Sequence, residues 1–425
     1  MCFTGDNTNT NFGGVLRRGK ENIHCKLKKD FGRHIIGVGC GAHITHNSIQ
    51  TGCEMLPIDF EALIVKIYKF FHIYTVRTEA LKKFCFEAAE QYMPLVKHSS
   101  TRFLSLLPAM NRVIDMYEPL EKYFGTTEKV PTTISSFFSN PQGKFWLLFT
   151  ANQLENFNSS IKMMERKNAT SFESCFELTK LKEKLVNRQK FRFIPKEARD
   201  ELSKKKENEQ REMLEKVVEF YDSIVQYITL WESSFDGTTI FCWMTLLKAP
   251  NWEIVEKSYD FCCNKYGKDF NTIVNNSSLF DETTMMINYV DTNLHDWRIK
   301  NVTSEERWIQ IFKHFVDNGN KLINLEKLVE FAFCLPGTSC EVERIFSILN
   351  LIWTSEKNFL LETVDSILSI QYNSDLSCTE FHEKIKNNVE LLEKVKGSEK
   401  YQSKLKCSGK IKKILIFVFK SRQQT

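Results

Sequence analysis

The sequence predicts a mostly helical protein with a small β part. Three observations carry that prediction. Apolar residues make up 42% of the 425-residue chain, and Phe alone accounts for 34 positions, while Gly and Pro total only 26. This is core-building rather than disordered composition. Strand candidates are confined to the first forty residues. From Ala42 onward, apolar residues recur at helical spacing for most of the chain.

The elements follow in order. Residues 1–5 read as the end of a buried strand, and Asp6-Asn7-Thr8-Asn9 with Gly13-Gly14 mark a turn. A basic stretch runs from Arg17 to Arg33. His34 to Gly39 is a second short strand candidate. Ala62, Leu63, Ile67, Phe70 and Phe71 form a helical stripe, as do Leu104, Leu107, Met110, Val113, Ile114 and Tyr117. Residues 196–217 are a charged stretch opened by a proline, expected to form one solvated helix. Further helices are expected from about Trp252 to Phe333. Thr338 to Glu341 has capping-box spacing and predicts a helix start. Val342, Ile345, Phe346, Leu349, Ile352 and Trp353 continue that helix as one apolar stripe. After a polar break at 354–358, Leu361, Val364, Ile367, Leu368 and Tyr372 make another.

Charge argues against a uniformly basic nucleic-acid surface. The last 32 residues hold ten Lys/Arg against Glu399 alone. That tail stands at +9, so with the whole chain at +5, residues 1–393 stand at −4. Bulk charge therefore gives no support for DNA binding by the body. Thirteen Cys without a CxxC pair suit reduced thiols in the nucleus, with the cytosol as the other compartment. The apolar run Ile414 to Phe419 is far shorter than the ~20 residues of a membrane span, so no membrane partner is expected. No small-molecule substrate is expected either.

Four motifs occur in a fixed order: GDNTNTNFGG (5–14), GCGAHITHN (39–47), HSSTRFLSLLPA (98–109) and LPGTSCEVERIFSILNLIWTSEKN (335–358). Together they resemble the hAT superfamily of DNA transposases. The resemblance implies an RNase H-like α/β fold, truncated at its start and interrupted by a large helical insertion. Residues 1–56 would be the partial catalytic fold and 57–335 the insertion. Residues 336–380 would hold the last helix of the catalytic fold and a dimerisation region, and 381–425 a disordered basic tail. Missing upstream strands would leave sheet edges open, with order mainly in a stable 57–335 fragment.

The resemblance also implies chemistry. Two divalent ions, Mg²⁺ or Mn²⁺, about 3.5–4 Å apart, would be held by three carboxylates for strand cleavage and transfer. Asp6 matches the second of these and Glu343 the third; the first matches no residue here, so neither activity nor a bound metal is expected of this chain by itself. Asp6 reads equally as a turn residue. Glu343 also reads as an acid favoured in a first helical turn by the dipole, a position Glu341 would serve as well. Cys40 and His43 match an element for fold support and DNA handling; a packed Cys and His in the core are the plainer account. Zinc is disfavoured, because Cys40–His43 is one ligand pair without a clear second. Arg102-Phe103 falls where the family has Arg-Trp, implying phosphate contact and base stacking, although Phe103 reads also as core. The residues from Val342 to Leu368 imply a homo-oligomer through this region. Two alternatives remain: an active transposase whose upstream part is missing, and a domesticated adapter that only dimerises.

Overall fold

The computed structural model describes residues 1–99, 105–266, 268–354, 359–373 and 376–396; of 268, 269 and 394–396 it describes the backbone alone. Arg102, Phe103, Leu104 and the apolar run at 414–419 lie outside the described residues.

The N-terminal elements are β1 (Cys2–Gly5), α1 (Asn9–Phe12), α2 (Ile23–Phe31), β2 (Ile36–Gly39) and α3 (Gly41–Glu54). Helices α4 (Phe60–His72), α5 (Thr75–Glu87), α6 (Leu106–Asp115), α7 (Tyr117–Thr126) and α8 (Thr132–Ser139) follow. Three long helices come next, α9 (Gly143–Met164), α10 (Ser171–Lys190) and α12 (Glu207–Trp231), with the short α11 (Lys196–Ser203) before the last. Two 3-10 segments, Glu232–Phe235 and Thr238–Thr245, lead to α13 (Trp252–Tyr266), α14 (Lys268–Ile273), α15 (Asn276–Ile299), α16 (Ser304–Asp317) and α17 (Ile323–Phe333). The chain closes with α18 (Cys340–Ile352), α19 (Leu361–Asn373), α20 (Cys378–Ile385) and α21 (Val389–Lys396). The protein is mostly helical with a small β part.

β1 and β2 pair in parallel, Cys2 opposite Ile36 through Gly5 opposite Gly39. Parallel pairing requires a crossover, supplied by α1 and α2. Neither helix was expected from the sequence; Thr8 and Asn22 cap their N-termini, and Gly13 and Gly32 end them at positive φ. At the outer edge of β2, Asp236 accepts the Gly37 amide at 3.0 Å, and the Arg17 guanidinium bonds the Ser234 carbonyl beside it, so a carboxylate satisfies one position of that edge.

The chain divides into two compact units, residues 1–343 and 344–425. In the first, one continuous core runs from Ile36 through the helices to Cys340. Residues on both sides of positions 57 and 335 contribute to it. Its centre is aromatic: Phe145, Trp146, Phe149, Phe220 and Tyr221 are fully buried. In the second unit Leu349, Ile352 and Val364 are buried together, with Phe346, Ile348, Ile367 and Leu368 packed on them.

Three expectations are corrected. The charged stretch 196–217 is two helices, α11 and α12, interrupted at Lys204–Lys206. The helix after Gly337 starts at Cys340, and the Thr338 hydroxyl donates to the Met164 carbonyl instead of capping. Helices α20 and α21 occupy residues 378–396, part of the stretch expected to be without order. No described helix is long and apolar enough to cross a membrane.

Candidate functional site

The parallel register brings the carboxyl ends of β1 and β2 side by side, so the residues that follow them emerge together. Asp6 follows β1 and Cys40 follows β2. The Cys40 amide donates to the Gly5 carbonyl at 2.9 Å, and the Asn7 amide group donates to the Cys40 carbonyl at 3.3 Å. Asp6 is held locally: its Oδ1 accepts from Thr8 Oγ1 at 2.8 Å and from the Asn11 side chain. The bonds come from two side chains and not from the backbone amide that its reading as a turn residue anticipates.

The third segment arrives from the far end of the chain. Gly337 donates to the Ala169 carbonyl at 2.9 Å and accepts from the Gly41 amide at 3.1 Å, while Pro336 accepts from the Thr4 hydroxyl at 3.0 Å. Only glycine fits here. A Cβ on Gly337 would stand 2.2 Å from Ser174 Oγ and 2.3 Å from the Thr170 carbonyl. The chain then turns into α18. The Ser339 amide donates to Cys40 Sγ at 3.3 Å, and Glu343 Oε1 accepts from Ser339 Oγ at 3.0 Å. His43 Nε2 lies 3.5 Å from the same Glu343 oxygen.

His43 is the electrostatic centre of the group. Burial alone would depress its pKa. The Cys40 sulfur, by hydrogen bond and by charge, outweighs burial together with the charges of Glu343 and Asp6, lifting it to about 9. Burial likewise pushes the Cys40 thiol up. Hydrogen bonds from Cys340, His43 and Ser339 and the charge of His43 reverse that, holding it well below the ordinary thiol range. Cys340, which donates to Cys40, is raised. One helical turn on, burial and then the nearby charges of His43 and His98 push His46 down to about 4.

The donor set suits a divalent cation poorly. Asp6 and Glu343 already accept hydrogen bonds, and His43, 3.5 Å from Glu343, favours its protonated state. Among the described residues, no group of three or more His, Cys, Asp or Glu has metal-holding geometry. Hard cations such as Mg²⁺ require several oxygen ligands, and no step through a metal is derived for this chain.

The other sequence-derived candidates fall as follows. His98 opens the third motif and is buried; its Nδ1 lies 2.8 Å from Ser105 Oγ and its Nε2 3.2 Å from Glu61. It lines a cavity of about 430 Å³ shared with His46, Glu61 and Phe157. Of the stripe assigned to dimerisation, Leu349, Ile352 and Val364 are buried together within their own unit. Phe346 and Leu368 pack on them, and Ile345 and Leu361 are half-buried. Val342 and Trp353 are exposed.

Compared with models of known protein families, with curated proteins and with solved structures, the chain matches none.

Sequence reasoning overlooked Ser339 and Cys340, although both stand in the fourth motif. A serine ahead of a helix, four residues before an acid on its first turn, was a legible signal for the Ser339–Glu343 bond. The contact of Cys340 with Cys40 spans 300 positions and leaves no local trace.

Proposed function

We propose that this chain is a transposase-derived protein of the hAT type that keeps the framework of a strand-transfer centre, associates with a second copy through its C-terminal region, and does not itself cut DNA. The observation that carries the reading is the convergence of three motif segments around His43: Asp6 after β1, Cys40 and His43 at the start of α3, and Glu343 on the first turn of α18. Motifs widely separated in sequence support one site when they meet in one place. The same arrangement argues for inertness. A protonated imidazole now neutralises the acids that a catalytic metal would need.

The test is incubation of the full chain with hairpin and blunt duplex oligonucleotides in Mg²⁺ and in Mn²⁺. Neither is expected to be cut. Site-specific nicking lost in Asp6→Asn and Glu343→Gln would overturn the inert reading in favour of an active enzyme.

A dimerising adapter is the second reading. It is favoured by the exposed apolar side chains of the C-terminal unit, among them Leu351, Leu360 and Ile370. Duplex binding measured alongside association separates the two, since an adapter associates without binding DNA.

A further inference from the structure

Several surface lysines of this chain close on a nearby acid: Lys82, Lys204, Lys216 and Lys257 each meet a glutamate three or four residues away at 2.6–2.8 Å, and Lys386 does the same with Glu383. The distal part of α10 and the turn after it hold more cations than acids to meet them. Residues 180–192 hold Lys180, Lys182, Lys184, Arg188, Lys190 and Arg192 against Glu183 alone. Lys182 reaches across to Glu232 at 2.7 Å, and Arg188 is anchored on Asn152 and Gln153. Lys180 stands 3.9 Å from Glu177, with its side chain two-thirds exposed. Among the described residues, Lys184, Lys190 and Arg192 form no ion pair.

The placement of these charges works against the isolated helix. The buried face of α10 is Phe172, Cys175, Leu178, Leu181 and Leu185, which turns Lys180 and Lys184 outward, one helical turn apart. Like charges at that spacing repel. Partial burial, then the charges of Arg188 and Lys180, pull the Lys184 ammonium below its ordinary pKa. Just past the helix, Phe191 is 75% exposed, with the Lys190 ammonium 5.6 Å from its ring centre. Arg192 beside it is held at φ 46. A row of exposed cations, three of them without an ion pair, ending in an exposed aromatic ring complements a phosphate backbone. It does not complement a membrane, because Val186 and Phe191 are the only large apolar side chains exposed along this stretch.

α10 also leads to the site. Near its start, Ser174 lies against Gly41 and Gly337, the neighbours of the His43 group. At a rise of about 1.5 Å per residue, the cations run from roughly 10 to 25 Å beyond Ser174 along one helix and its terminal turn. That length is about half a turn of a duplex.

We propose that the exposed face from Lys180 to Arg192 docks the backbone of duplex DNA flanking the His43 group. This rests on the transposase-derived reading above. The acidic body makes the attraction local, and the shape of the patch makes it linear.

The test compares the full chain with a variant carrying Lys180→Gln, Lys184→Gln, Lys190→Gln and Arg192→Gln, using a 30-base-pair fluorescent duplex. All four positions are exposed, and a circular dichroism spectrum checks the fold. The basic C-terminal residues are common to both proteins and cancel in the comparison. The expected result is binding at least tenfold weaker, with a log–log salt slope smaller by about 3. Benzoylphenylalanine in place of Asn187 should crosslink to the duplex, whereas the same group in place of the exposed Ile309 should not. Unchanged affinity and slope without a crosslink at 187 would overturn this surface and leave the transposase-derived reading intact. Absence of duplex binding by the unaltered chain would overturn both. Loss of phosphatidylserine-vesicle binding in the variant, with duplex binding unmoved, would also overturn the proposal.

Discussion

The two compact units solve the burial problem differently. The first builds its centre from large rings: Phe149 sits 5.2 Å from Phe220 and 6.1 Å from Tyr221, in edge-to-face contact. Each buried ring removes a large apolar area from water and gains further from such geometry. The second unit buries Leu349, Ile352 and Val364 while leaving Leu351 at 72% and Leu360 at 65% exposure. A core that small supplies little stability by itself. The lesson is that the first unit is self-sufficient, whereas the second presents apolar surface that association would cover.

Four measurements would break or sharpen that contrast. The largest effect belongs to the first unit: Phe149→Ala should cost about 3–5 kcal/mol in urea denaturation. A loss under ~1 kcal/mol would contradict a core held by its rings. Next is Gly337→Ala, which forces a methyl group onto Ser174 and the Thr170 carbonyl. Overpacking of this kind should cost about 1–3 kcal/mol; a neutral result would mean that the segment before α18 is not tightly seated.

The third effect is a pH dependence with an acid limb. His46, neutral when folded and depressed to about 4, contributes stability that is present above its unfolded pKa of ~6.5 and lost as pH falls toward 4. His43, raised to about 9, contributes stability that is complete below ~6.5 and lost as pH rises through 9. Cys40, held below the ordinary thiol range by the same pair, gains stability over the interval in which His43 loses it, so the two offset each other between ~6.5 and 9. The urea midpoint should therefore rise from pH ~4 to ~6.5 and then stay level, and His46→Gln should reduce the acid limb; a profile unchanged by that substitution would refute the assignment. The smallest effect on stability belongs to the second unit. Leu351→Asp should alter folding by less than about 0.5 kcal/mol, because the side chain is exposed. In sedimentation velocity it should shift the protein toward monomer. A parent chain that is already monomeric would contradict the association reading.

Much of the fold was legible locally. The stripe Ala62 to Phe71 predicted α4, and Asp59 does cap it. Strand candidates 1–5 and 34–39 became β1 and β2. The break at Lys204–Lys206 was missed because a solvated, charged stretch lacks the apolar periodicity that would reveal an interruption. The bond from the Gly37 amide to Asp236 was missed because a lone carboxylate two hundred residues away carries no local signal. Of the site, Asp6, Cys40, His43 and Glu343 were all named from the sequence. What stayed hidden was that His43 lies 3.5 Å from Glu343 and gains its charge chiefly from Cys40.

The sequence by itself determined the helical character, the confinement of strands to the first forty residues and the segments that carry the chemistry. These are properties of spacing and residue type, readable within a window of a dozen residues. Only the tertiary structure decided that Cys340 reaches Cys40, that the Cys40 sulfur raises the affinity of His43 for its proton, and that Leu349, Ile352 and Val364 are buried together. Burial and charge act through distance in space. Their balance was fixed only when segments three hundred residues apart came within a few ångströms.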